Sequence, residues 1–294
     1  GVYHTCSSSE VEWIVNNSES KIIFIGNNPG DNGEKEKMPV HRLNHILSSL
    51  PNIERVVLMD GVETIDDSRV VSWDEFILKG NGISSEEILN RLNGVDENDT
   101  ASLIYTSGTT GNPKGVELTY KNFNFELDCL LSFLRYDQGE KFISWLPGAH
   151  VFGQALDNHY WIRTAMHMYI ADNPLNAVDI AKDIQPSLFI SVPRVYEKVY
   201  SNLKSAIESK AILKYGLKIP VLKNALRKKL RAAAGFGKLK FAISGAAPIN
   251  PDILRFFQSL DIPVYEGWGL TETTAGATLN YWNENGRLLA RIAI

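Results

Sequence analysis

Short apolar runs rich in β-branched residues alternate with amphipathic stretches along almost the whole chain, and this alternation constrains the fold more than any other feature. The β-like runs fall at 21–25, 53–59, 101–106, 141–146, 167–171, 187–192, 239–243 and 262–265. The helical patterns fall at 40–50, 84–92, 120–134, 177–184, 194–210 and 251–260. Turn clusters such as Gly26-Asn-Asn-Pro-Gly30 separate them. In 194–210, Val195, Val199, Leu203 and Ile207 recur every four residues along one face. Ser84, with Glu87 three residues on, has the form of a capping box. Strand–helix alternation of this kind predicts an α/β protein built on mostly parallel sheets. At 294 residues, the chain has length for roughly two domains or lobes. The polar stretch 135–141 is the expected boundary, giving a first α/β lobe over 1–138 and a second over 139–294.

Composition narrows the class. The chain is 44% hydrophobic and 22% charged, which supports a packed core and excludes disorder as the main reading. Two cysteines cannot make a disulfide framework or a zinc site, which favours a reducing compartment and a cytoplasmic protein. The apolar runs are far shorter than the roughly 18 residues of a membrane span. His41 and His45 stand four apart, but no third ligand is near them in sequence.

The most informative stretch runs from Leu103 to Gly115, Leu-Ile-Tyr-Thr-Ser-Gly-Thr-Thr-Gly-Asn-Pro-Lys-Gly. It leaves a β run and is expected to reach a helix after a short polar stretch. Thr106, Ser107, Thr109 and Thr110 offer hydroxyls, Gly108 and Gly111 permit close backbone approach, and Lys114 adds a point charge. Donors and one cation on such a loop suit a polyphosphate. Pro113 before the lysine and Gly115 after it exclude the Walker pattern. A second stretch, Tyr265-Glu-Gly-Trp-Gly-Leu-Thr-Glu272, joins a flat aromatic face, a small residue, a hydroxyl and a carboxylate. Two more follow β-like runs, Ser244-Gly-Ala-Ala-Pro-Ile249 and Trp145-Leu-Pro-Gly-Ala-His-Val-Phe-Gly153.

Together these four stretches resemble the adenylate-forming, acyl-activating superfamily, which includes acyl-CoA synthetases, luciferases and adenylation domains. The resemblance implies two stacked α/β lobes of the large domain of an acyl-adenylating enzyme. It assigns Thr106, Ser107, Gly108, Thr109, Thr110, Gly111 and Lys114 to the phosphates of ATP. By the same resemblance Gly245, Ala246 and Ala247 wall the adenine pocket and Trp268 packs on adenine, within the segment Glu266, Gly267, Trp268 and Gly269. Thr271 would contact the α-phosphate, Glu272 would hold Mg²⁺, and His150 would orient the acyl carboxylate. Lys114, His150, Thr271 and Glu272 are then the expected catalytic set.

The segments Ile190–Val199 (Ile-Ser-Val-Pro-Arg-Val-Tyr-Glu-Lys-Val) and 238–248 look most like long-chain fatty acid–CoA ligases, implying a fatty acid, ATP and CoA as substrates. Another adenylating ligase, for an aryl or amino acid, and a non-catalytic nucleotide-binding relative are the alternatives. The resemblance covers a middle part of the family pattern and fades after Thr278. The ribose-binding Asp motif has no match, since Asn28-Pro-Gly-Asp31 lies elsewhere in the order. The small C-terminal domain with its lysine has no match either, so the expectation is an incomplete large domain with little ligase activity alone.

One charge asymmetry stands apart from these motifs. Ten lysines and arginines and no acid lie between 210 and 240, leaving −14 on the remainder of a chain whose net charge is −4. A solvated helix face, a peripheral contact with an anionic membrane and a site for a phosphorylated ligand all fit. Nucleic acid is not expected, because no aromatic or glycine pattern accompanies the charge.

Overall fold

The computed structural model describes residues 1–26, 39–107, 111–134, 136–171, 176–282 and 288–293. Packing divides the chain into two compact units, Gly1–Tyr120 and Lys121–Ile294.

The first unit opens with α1 (Ser8–Asn17), whose N-terminus is closed by a reciprocal capping box between Ser7 and Glu10. Then come β1 (Ile22–Ile25), α2 (Pro39–Ile46), β2 (Arg55–Leu58), β3 (Val70–Ser72), α3 (Trp73–Leu78), α4 (Ser85–Asn93), β4 (Thr100–Thr106) and β5 (Lys114–Thr119). β1, β2 and β3 form a parallel sheet in that order. Val15, Ile25, Val40, Leu43, Leu50, Ile53 and Val56 make its core. Ser84 does cap α4 by accepting from the Glu87 N–H.

β4 and β5 form an antiparallel hairpin that pairs Thr106 with Lys114. The helix expected after the polar loop begins only at Tyr120, and β5, which the sequence pattern does not predict, lies between. Val116 and Leu118 point inward while Glu117 between them is exposed, which is the period of a strand. Gly111 turns the chain with a φ of 96°, a conformation that glycine adopts without a side-chain clash.

The second unit contains α5 (Tyr120–Phe133), β6 (Lys141–Ser144), α6 (Val151–Gly153), a π-wound turn (Gln154–His159), α7 (Tyr160–Thr164), β7 (His167–Ile170), α8 (Ala177–Ile184) and β8 (Leu188–Ser191). It continues through α9 (Pro193–Ser209), α10 (Ala211–Gly216), α11 (Pro220–Ala233), β9 (Phe241–Ser244), α12 (Pro251–Ser259), β10 (Val264–Trp268), a 3₁₀ turn (Thr271–Thr273), β11 (Thr278–Trp282) and β12 (Leu288–Ala293). The sheet runs β12-β11-β10-β9-β8-β6-β7. From β7 to β10 every pair is parallel, and β11 and β12 add an antiparallel edge. Parallel strands need crossovers, and the α6–α7 segment, α8, α9 to α11 and α12 supply them.

β8 is buried along its whole length, as a strand covered on both faces must be. Phe189, Tyr196, Phe236 and Phe257 form the aromatic centre of the core. The expected stripe on α9 holds: Val199 and Leu203 are buried, with Val195 and Ile207 packed at its margin.

α5 packs with the second unit. Phe123 stacks on His159 at 3.9 Å between ring centroids, and the Tyr160 hydroxyl donates to the Leu134 carbonyl. The compact units therefore part before this helix, whereas the sequence reading drew its boundary after it.

Candidate functional site

Four of the singled-out segments leave strands of the second unit, all four from the carboxyl ends of mutually parallel strands in one sheet. β6 ends at Ser144 and runs on toward His150, β9 ends at Ser244 before Gly245–Ala247, and β10 ends at Trp268 before Thr271 and Glu272. β8, between β6 and β9 in the sheet, ends at Ser191 before Pro193 and Arg194. Carboxyl ends of parallel strands are where open α/β sheets bind ligands.

The segment after β6 is held by a buried carboxylate that the sequence reading did not single out. Asp157, on the π-wound turn, accepts from the Ser144 hydroxyl at 2.7 Å, and the Trp145 and Leu146 backbone N–H groups also favour its ionised form. Burial outweighs these bonds and raises its carboxyl to about 6. The Trp145 indole donates to the Ile190 carbonyl, tying the segment to β8. His150 caps α6, and its Nδ1 accepts from the Phe152 N–H at 3.1 Å. An accepting Nδ1 leaves the proton of the neutral ring on Nε2. Burial lowers the pKa of this imidazole and so favours that neutral form.

Phe152 reaches the next strand end. A Cβ on Gly245 would lie 3.0 Å from its ring, so the segments after β6 and β9 meet there through a small residue. The Gly245 N–H donates to the Ser191 carbonyl. Ala246 has a φ of 67°, and both it and Ala247 are exposed. Ser191 and Ser244 pair in register at the ends of β8 and β9. Both side chains are fully buried, and neither hydroxyl has a hydrogen-bond partner among the described residues.

β10 carries the aromatic segment. The Glu266 carboxylate accepts from the Ile249 N–H at 3.0 Å, which locks the end of the Gly245–Ile249 segment to this strand. Gly267 lies against Ile243 and Leu279. Trp268 is 59% exposed, an unusual state for an indole unless its face has something to cover it. At Gly269 a Cβ would sit 1.6 Å from the Ala275 carbonyl oxygen, so the chain folds back too tightly for any side chain. Thr271 is half-buried and Glu272 is exposed at the start of the 3₁₀ turn. Thr274 and Ala275 both adopt positive φ, 59° and 90°.

Glu126 on α5 secures this reversal. Its Oε1 accepts from the Gly276 N–H at 3.1 Å. Glu126 is buried, and desolvation pushes its carboxyl up to about 8. Phe123, Glu126, Leu127 and Leu130 occupy one helical stripe, so an acid on an apolar face was the signal available in the sequence.

The polar loop belongs to the first unit. Thr106 and Lys114 face each other in the hairpin, and Ser107, Gly111 and Lys114 are exposed. α1 braces the hairpin twice: the Trp13 indole donates to the Pro113 carbonyl at 2.9 Å, and the Tyr105 hydroxyl donates to Asn17 Oδ1 at 2.6 Å. Gly108, Thr109 and Thr110 lie outside the described residues, as does Asn28-Pro-Gly-Asp31.

The comparisons with known proteins point the same way. The family pattern described as AMP-binding enzyme matches residues 1–292. The chain is 26% identical to the long-chain-fatty-acid–CoA ligase ACSBG2 of Xenopus laevis, over 95% of this chain and 41% of that protein. It is 28% identical to the long-chain-fatty-acid–CoA ligase FadD15 of Mycobacterium bovis, over 96% of this chain and 49% of that protein. Its fold is similar to the adenylation domain of a carboxylate reductase from Mycobacterium chelonae, with a TM-score of 0.68, 16% identity, and coverage of 92% of this chain and 43% of that one. The chain therefore spans less than half the length of these relatives.

Proposed function

The chain belongs to the AMP-binding enzyme family, and on that premise we propose that it carries the nucleotide site of a long-chain fatty acid–CoA ligase. One observation carries the reading: His150, Gly245–Ala247 and Trp268–Glu272 all leave the carboxyl edge of one parallel sheet. The choice of acid follows the curated relatives, which are named for long-chain fatty acids.

In the proposed reaction a carboxylate oxygen of the fatty acid attacks the α-phosphorus of ATP. A carboxyl–phosphorus bond forms, the bond to the β-phosphate oxygen breaks, and pyrophosphate leaves. CoA thiolate then attacks the acyl carbonyl and AMP departs. A fatty carboxylate is ionised at neutral pH and needs no base. The obstacle is repulsion, about 4 kcal/mol for two unit charges at 4 Å in an effective dielectric near 20. The site must offset that charge and hold the reactants in line.

The assigned parts suit this task. Trp268 offers an exposed π face to adenine, and the small residues Gly245, Ala246 and Ala247 form the opposing wall, fixed in place through Glu266. Gly267 and Gly269 let the backbone pass close by. Thr271 donates to the α-phosphate. His150 presents an Nε2 proton to the acyl carboxylate while its Nδ1 is engaged. Thr106, Ser107, Gly111 and Lys114, with Gly108, Thr109 and Thr110, take the outer phosphates. Magnesium accepts one or two carboxylates and fills its shell with phosphate oxygens and water, and the exposed Glu272 fits that preference. The ion would supply charge neutralisation on the polyphosphate.

ATP–pyrophosphate exchange tests the proposal, run with palmitate, coumarate and amino acids in parallel. Exchange that depends on palmitate supports it. Exchange that depends only on coumarate or an amino acid would move the chain to another adenylating ligase. Release of γ-phosphate without pyrophosphate would refute adenylation.

A further inference from the structure

The basic stretch singled out in the sequence becomes a specific surface in the fold. α10 and α11 form a helical turn on the crossover between β8 and β9. Leu213 and Gly216 face inward, and a Cβ on Gly216 would lie 2.7 Å from Leu226, so the two helices meet closely at that point. The outward side of the same turn is apolar. Ile212 is 68% exposed, Tyr215 58%, Ile219 47%, Val221 87% and Leu222 42%. Five large apolar side chains thus stand in solvent within eleven residues.

Cations frame them. Lys210, Lys214 and Lys218 are exposed on this turn, with Lys223, Lys228 and Lys229 following on α11. Among the described residues, no carboxylate lies within ion-pairing distance of any of these six, while Arg227 pairs with Asp261 and Lys240 with Glu140. No acid occurs between 210 and 240. The rest of the chain is strongly acidic, so the positive charge is concentrated rather than spread.

From this arrangement we infer that the α10–α11 turn docks the protein on the surface of an anionic phospholipid bilayer. The apolar side chains enter the headgroup boundary, and the lysines engage lipid phosphates and carboxylates. The separate halves of the pattern each have a simpler explanation, solvated charge or scattered surface hydrophobes. Their coincidence on one turn is the composition of an interfacial anchor, an apolar edge flanked by lysine. A phosphorylated small ligand accounts for the charge but gives no use to Val221 or Ile212. None of these residues is assigned to nucleotide, so the inference stands or falls independently of that assignment.

Vesicle sedimentation tests it with the intact chain. Vesicles of phosphatidylcholine alone are compared with vesicles in which a third of the lipid is phosphatidylserine, each at low and high salt. Three variants accompany the wild type: Val221→Asp, the triple change Lys210→Gln, Lys214→Gln and Lys218→Gln, and a control triple, Lys21→Gln, Lys79→Gln and Lys198→Gln. All of these residues are exposed, and circular dichroism checks that each variant keeps its fold. The expected result is pelleting with the anionic vesicles that salt weakens. The first triple should lower partitioning at least about tenfold, since each lysine near an anionic surface contributes roughly fivefold. Val221→Asp should lower it as well, and the control triple should leave it within about twofold. Equal pelleting on neutral vesicles, no pelleting, or equal losses in both triples would overturn the inference. So would a dimer in solution that Val221→Asp dissolves without any vesicle binding, which would assign the face to a second copy.

Discussion

Glu126 gives the sharpest test of how the fold holds the Thr271–Glu272 turn. Its carboxyl is buried on α5 and, among the described residues, takes one hydrogen bond, from the Gly276 N–H. Desolvation raises it from 4.5 to about 8. The folded protein therefore keeps a proton that the unfolded chain gives up above about 4.5. The stability contributed by the neutral carboxyl is complete below that pH and is lost as the pH rises through about 8. A difference of this size corresponds to about 5 kcal/mol in full, with a slope of up to about 1.4 kcal/mol per pH unit. That is a large part of the 5–15 kcal/mol typical of a domain. Other groups titrate nearby. Asp157 behaves in the same sense with a carboxyl at about 6, and the burial-lowered His150 and His159 work in the opposite sense as the pH falls. Glu126→Gln isolates the term, because glutamine keeps the acceptor for Gly276 and loses the titration. Urea unfolding of both proteins from pH 5 to pH 9 is the assay. The stability difference should move in favour of the variant by about 4 kcal/mol across that range. Parallel profiles would refute the reasoning, because they would mean that Glu126 carries the same charge folded and unfolded.

Three further outcomes follow from particular contacts. Gly269→Ala forces a methyl to within 1.6 Å of the Ala275 carbonyl oxygen, so Mg·ATP affinity should fall by at least about tenfold while the near-ultraviolet dichroism of the core persists; an unchanged affinity would contradict it. The Tyr196 hydroxyl, fully buried, lies 3.0 Å from both the Phe189 and Ile243 carbonyl oxygens. Tyr196→Phe should cost about 1–2 kcal/mol in urea unfolding, and a neutral result would show that those carbonyls need no donor. Glu272→Ala should reduce pyrophosphate exchange far more than nucleotide binding, whereas equal losses in both would count against a metal-binding role.

Much of the parallel core was legible in the sequence because its runs are short, apolar and punctuated. β8 and the stripe Val195, Val199, Leu203 and Ile207 needed only periodicity. The sequence pattern shows β4 and the helix α5 but not the strand β5 between them. Glycines and threonines dominate the loop, and the period-two signal in Val116–Leu118 spans few residues. α6, the π-wound turn and α7 escaped because Asp157 and His159 interrupt the apolar pattern, and tertiary packing is what buries them. The motif residues at the strand ends were visible as chemistry, since Trp, Gly, Thr and Glu stand together in one short run. Of the supporting carboxylates, Glu126 shows only as an acid on an apolar stripe, and its partner does not show at all. Glu126 supports Gly276 across a sequence separation of 150, and no local pattern reports such a contact.

The central claim is the proposal that this chain binds an adenine nucleotide. Calorimetric titration of this chain with Mg·ATP tests it most directly, alongside Trp268→Ala and Lys114→Ala. The account predicts saturable binding that both substitutions weaken, Trp268→Ala through the base and Lys114→Ala through the phosphates, with AMP affected only by the first. Binding that neither substitution alters, or no binding by a chain whose dichroism shows it folded, would contradict it.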